Sequence, residues 1–130
     1  MPEAIPNSVQ KLLREQIQSI AQLEVLLRLR ESPAAPQSVP ELSKQLYTPD
    51  SMTLSLLDGL ALRGLVDRVE GDEARYRYSP KSAELMQTVD ELARLYQQRR
   101  VTIINLIYSS PVKQMQDFAD AFRIRPPEEH

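Results

Sequence analysis

The chain of 130 residues has no cysteine and no tryptophan, only three glycines, and one histidine, which stands last. Without thiols there are no disulfides, thiolate zinc sites or cysteine nucleophiles to consider. A lone terminal His130 argues against a histidine-based metal centre or catalytic base. Gly59, Gly64 and Gly71 are too scattered to form a phosphate-cradling loop. No apolar run approaches the roughly 18 residues of a membrane-spanning helix. The opening MPEAIPNSVQ is neither basic nor apolar enough for a secretion signal, so a soluble, cytoplasmic protein is expected. An excess of positive charge is also missing: the formal net charge of −2 gives no general attraction to nucleic acid or to an anionic membrane. Ser8, Ser19, Ser38 and Ser82 lie in no glycine-flanked elbow and read as helix caps rather than nucleophiles. The acidic turn EGDE at 70–73 has too few oxygen ligands for a calcium loop. No enzyme, metal site or cofactor is expected.

What is present is helix periodicity and punctuation, in a chain whose length suits one domain. Residues 1–7, with two prolines, form a lead-in. Val9, Leu12, Leu13, Ile17 and Ile20 recur at helical spacing, and Ser19 with Gln22 matches a capping box, which divides this region near Gln18 and starts a second helix at Ile20. Leu23, Leu26 and Leu29 are its buried stripe. The prolines of SPAAPQ (32–37) force a loop. Ser38, Pro40 and Glu41 then supply a cap, a first-turn proline and a second capping box for a short helix that ends near Tyr47, with Leu42 and Leu46 inward. Thr48, Pro49 and Asp50 restart the chain as cap, first helical residue and favourable acid. Leu54, Leu57, Leu60 and Ala61 are expected to face inward, and Gly64 to end this helix in a left-handed conformation.

Residues 65–69 read as a strand, 70–73 as a turn with Gly71 at positive φ, and ARYRY at 74–78 as a half-buried strand. In that strand Tyr76 and Tyr78 are expected on the core side and Arg75 and Arg77 in water. From Ser82, the residues Leu85, Val89, Leu92, Tyr96, Ile103 and Ile107 trace one helix of roughly 28 residues, far above the usual ~11–12. A helix of that length outruns so small a domain, so these six residues are the expected interface with a second copy. The patch QQRR at 97–100 interrupts the seam. A last amphipathic helix after Pro111 carries Met115, Phe118, Ala119 and Phe122 on one face, and residues 126–130 are a tail.

The stretch LDGLALRGLVDR (57–68), with QLEVLLRL (22–29) upstream, resembles the winged-helix segment of bacterial MarR-like and PadR-like transcription regulators over about residues 19–79. The resemblance implies a mainly α fold with a small β-hairpin wing: a winged helix-turn-helix at 8–79, followed by dimerising and docking helices at 80–125. It implies a homodimer that binds double-stranded DNA through its third helix and wing. The groove-facing candidates are then Ser51, Thr53, Ser55, Asp58, Gly59 and Leu62, joined by Arg63. The wing candidates are Arg68, Arg75 and Arg77. This chain departs from such regulators in charge. Between residues 48 and 78 the acids Asp50, Asp58, Asp67, Glu70, Asp72 and Glu73 outnumber the bases Arg63, Arg68, Arg75 and Arg77, a net of −2. Two further readings stay open: a winged helix kept for protein–protein interaction, and a ligand sensor with a pocket between the long helix and the terminal one.

Overall fold

The computed structural model describes residues 5–108. They form helices α1 (Asn7–Glu15), α2 (Ile20–Arg30), α3 (Val39–Leu46), α4 (Asp50–Leu62), α5 (Ala83–Gln98) and α6 (Arg100–Tyr108), and strands β1 (Gln37–Ser38), β2 (Val66–Val69) and β3 (Arg75–Tyr78). The expected last helix, with Met115, Phe118 and Phe122, lies outside the described residues.

Local signals explain most boundaries. Ser19 Oγ accepts from the Gln22 amide at 3.0 Å, while Gln22 Oε1 reaches back to the Gln18 amide at 2.9 Å, one residue earlier than a capping box requires. Before α3 both arms of the box are made: Ser38 Oγ accepts from the Glu41 amide (3.3 Å), and Glu41 Oε1 from the Ser38 amide (2.8 Å). Ser82 Oγ caps α5 through the Leu85 amide at 3.0 Å. Ser8, expected as a cap, lies inside α1, whose cap position is Pro6. Thr48 is not the α4 cap either. Pro49 takes that position without a side-chain bond, and the Thr48 hydroxyl turns inward to Thr53.

Gly64 ends α4 as expected, at φ 78°. The Leu65 amide donates to Leu60 O (3.0 Å) and the Gly64 amide to Ala61 O (3.1 Å), a paired closure that satisfies two end carbonyls and seats Leu65 against the core. Gly71 adopts no positive φ, so the hairpin tip turns without the left-handed residue expected there. The one non-glycine residue at positive φ among those described is Tyr47 (57°), which closes α3.

β3 is the central strand, antiparallel to both β1 and β2. The register pairs Asp67 with Arg77, Arg68 with Tyr76 and Ser38 with Arg75. Period-two alternation buries Tyr76 and Tyr78 and leaves Arg75 and Arg77 outward. α2 is the central helix, with Leu23, Val25, Leu26 and Leu29 fully buried against α4 and β3. Leu57, Leu60 and Leu65 meet it from the far side of the core, whereas Leu54, expected inward, is 40% exposed.

The expected 28-residue helix is two helices. Arg99, at φ −136° and ψ 51°, breaks it, and α6 packs on α1, as α5 does. Val89, Leu92, Tyr96, Ile103 and Ile107 are therefore buried in this chain's own core with Val9, Leu12 and Leu13 of α1, and Leu85 is partly buried beside them. These six residues are not an exposed dimer face. Packing on α1 removes this apolar area from water, and each fully buried Leu or Ile contributes about 1.5–3 kcal/mol.

Candidate nucleic-acid interface

α3, the turn at Tyr47 and α4 form a helix-turn-helix whose angle is set from inside. Thr53 is fully buried, and its hydroxyl accepts from Ser43 Oγ (2.8 Å), lies 2.7 Å from Thr48 Oγ1 and donates to Pro49 O (3.2 Å). It belongs to the joint between the two helices and is withdrawn as a groove-facing residue. Gly59 is withdrawn as well. A Cβ there would come within 2.9 Å of Gln22 Nε2, so the glycine permits the close approach of α4 to α2.

The outward line of α4 consists of Ser51, Ser55, Asp58 and Leu62, at spacings of four, three and four residues along one face. Met52 and Leu54 flank it at 49% and 40% exposure, and Leu62 is 87% exposed. Tyr47 stands before it, 94% exposed. Arg63 bends back along the helix, its Nη1 donating to Gly59 O at 3.0 Å.

The wing lies beside this face and is tied to it. Tyr76 OH donates to Asp58 Oδ1 at 3.0 Å, and burial, reinforced by that carboxylate, raises the Tyr76 pKa. Arg75 Nη1 donates to Glu41 Oε1 at 2.9 Å. The Ser38 amide foremost, with Arg75 adding to it, holds the Glu41 carboxyl below its usual range. Arg75 also reaches Glu73 (3.4 Å), Arg68 pairs with Glu70 (2.8 Å), and Arg77 with Asp67 (3.9 Å). Each wing arginine thus has a carboxylate of this chain as its partner. The Asp67–Arg77 pair was foreseeable from a hairpin register. The reach from Glu41 to Arg75 was not, because it joins segments 34 residues apart.

A polar cleft of about 250 Å³ opens between α2 and α5, where Tyr96 OH donates to Glu24 Oε2 (3.0 Å) and Arg100 lies 4.5 Å above the Tyr96 ring. Among the described residues no cluster of three or more His, Asp or Glu side chains is placed to hold a metal ion. No described helix is long and apolar enough to cross a membrane.

A helix-turn-helix backed by a three-stranded sheet and a hairpin wing is the winged helix-turn-helix, the fold of MarR-family transcriptional regulators. No protein-family model matches the chain, and a search of curated proteins returns no match. Solved structures do resemble it. Reduced HlyU from Vibrio cholerae is 28% identical, with 69% of this chain and 92% of that one covered at a TM-score of 0.53. Sco5413, a MarR family transcriptional regulator from Streptomyces coelicolor, is 15% identical over 90% of this chain and 79% of its own (TM-score 0.56). A MepR mutant from S. aureus bound to an oligodeoxyribonucleotide is 16% identical over 90% and 83% (TM-score 0.55).

Proposed function

We propose that the chain is a bacterial, cytoplasmic transcription regulator that binds double-stranded DNA as a homodimer, with α4 in the major groove and Arg68, Arg75 and Arg77 of the wing at phosphates. The observation that carries this reading is the placement of one exposed line of α4 side chains beside a hairpin whose arginines point outward. The fold shared with the oligonucleotide-bound MepR structure supports it. Because each wing arginine already has a carboxylate partner, a DNA phosphate has to displace Asp67, Glu70 or the Glu41 and Glu73 pair. Binding gains little Coulomb energy from that exchange and should be weak and confined to low salt. The second copy would meet the outer side of α6, where Val101 is 71% exposed on a helix that is apolar nearly all round.

The test is an electrophoretic mobility shift on the chain's own upstream region, from about 50 mM salt upward. A complex confined to low salt, and weakened further in Arg75→Ala with Arg77→Ala, is expected. A second reading, a winged helix that docks a protein, is favoured by the exposure of Leu62 and Tyr47 and by the paired arginines. Absence of any shift at about 50 mM salt, where electrostatic attraction is strongest, decides for it. Light scattering tests the dimer, and a monomer mass at all concentrations would remove that part of the proposal.

A further inference from the structure

From Asp50 to Leu62, α4 has no lysine, arginine, asparagine or glutamine. In the major groove guanine is read by cationic donors at O6 and N7, and adenine by a bidentate amide. Neither donor type is available on this helix. Its exposed face offers Leu62, Met52 and Leu54 as apolar surface, the hydroxyls of Ser51 and Ser55, and the Asp58 carboxylate. The groove has a matching partner for apolar atoms, the thymine 5-methyl group, and one for an unpaired carboxylate oxygen, the cytosine N4 amino group. Asp58 is held for this by Tyr76 OH on Oδ1 (3.0 Å), an anchor that leaves the other oxygen for an incoming donor. The line from Ser51 to Leu62 spans eleven residues, or about 16 Å at 1.5 Å per residue, close to five base steps at 3.4 Å each.

We infer that α4 reads pyrimidine edges. Leu62, with Met52 and Leu54 on its two flanks, packs on thymine methyls, and Asp58 accepts from the cytosine N4 amino group. The inference rests on the DNA-binding reading and adds the class of sequence recognised.

The experiment selects duplexes from a random library with the purified full chain at about 50 mM salt. Enriched duplexes are then remade with deoxyuridine in place of thymidine, which keeps base pairing and removes only the methyl. Affinity should fall about fourfold for each contacted methyl, the fold-change that corresponds to about 0.8 kcal/mol per buried carbon. Leu62→Ala, at a position exposed enough to leave folding intact, should erase the thymine–uracil difference at one base pair. Arg75→Ala with Arg77→Ala should weaken thymine and uracil duplexes alike. Tight binding that ignores the substitution overturns methyl readout and leaves DNA binding standing. Retention of no duplex at all overturns both.

Discussion

Thr53→Val exchanges a hydroxyl for a methyl of nearly the same shape at a fully buried position in α4. The helix preferences of the two residues are close, so the change isolates the hydroxyl. Three contacts disappear, to Ser43, Thr48 and Pro49 O. Pro49 O keeps the Thr53 amide at 3.0 Å, and Thr48, partly exposed, turns to water. Ser43 has no such relief: it is 6% exposed, and its hydroxyl is stranded. Losing the bonds costs about 1 kcal/mol, and stranding a buried hydroxyl adds about 1–3, so a loss of about 2–4 kcal/mol is expected. For a domain of this size that lowers the melting temperature by roughly 7–15 °C. Urea denaturation followed by circular dichroism should show a lower midpoint at an unchanged slope. Adding Ser43→Ala removes the stranded group, and the double variant should recover to within about 1 kcal/mol of the parent. A Thr53→Val protein within about 0.5 kcal/mol of the parent, or a double variant showing the plain sum of two losses, would refute the buried joint.

Gly64→Ala should destabilise by about 1–2 kcal/mol, because φ 78° disfavours a side chain and the new Cβ would sit 2.5 Å from Lys81 Cδ; thermal denaturation measures it. Burial pushes Tyr78 up to about 12, and Tyr76 and Tyr96 are raised as well, all on the acid side of ionisation. Folded pKa values above the unfolded value near 10 mean that this contribution is complete below pH 10 and lost between pH 10 and about 12, which absorbance at 295 nm and ellipticity should register together. Asp67→Asn with Glu70→Gln should free Arg77 and Arg68, while Arg75 stays on Glu41, and should tighten non-specific duplex binding, steepening the salt slope by about 0.9 for each of the two arginines released. Leu92→Ala should cost about 2–5 kcal/mol of stability, as a core residue does, while Val101→Asp should leave stability within about 0.5 kcal/mol and shift the light-scattering mass toward monomer.

Features set by a few neighbouring residues were legible in the chain. Ser38, Pro40 and Glu41 specify a helix start over four residues, and Gly64 a helix end over six, because the bonds involved are local. The alternation in ARYRY located its strand for the same reason. The break at Arg99 was hidden because Leu92, Tyr96, Ile103 and Ile107 keep helical spacing straight through it. The polar QQRR patch was its one trace, and only the packing of α6 on α1 gives that patch its meaning. Thr53 misled because its hydroxyl suits a groove as well as a buried joint, and the difference lies in Ser43, ten residues away. Charge was countable in advance, but the pairing of every wing arginine depends on the hairpin register and on β1, which leads into α3, pairing with β3.

Ser38 ends β1 opposite Arg75, caps α3 and exchanges two hydrogen bonds with Glu41, which in turn holds Arg75. The hairpin therefore cannot swing as a free flap. Lifting it pulls on the first turn of α3, and fraying that turn loosens the hairpin. In native-state hydrogen exchange the amides of Ser38 and Glu41 and those of β3 should open as one unit, at one free energy, even though more than thirty residues of chain separate them. A force applied at the wing tip is thus delivered to the helix that seats α4, and such a domain moves as a single lever.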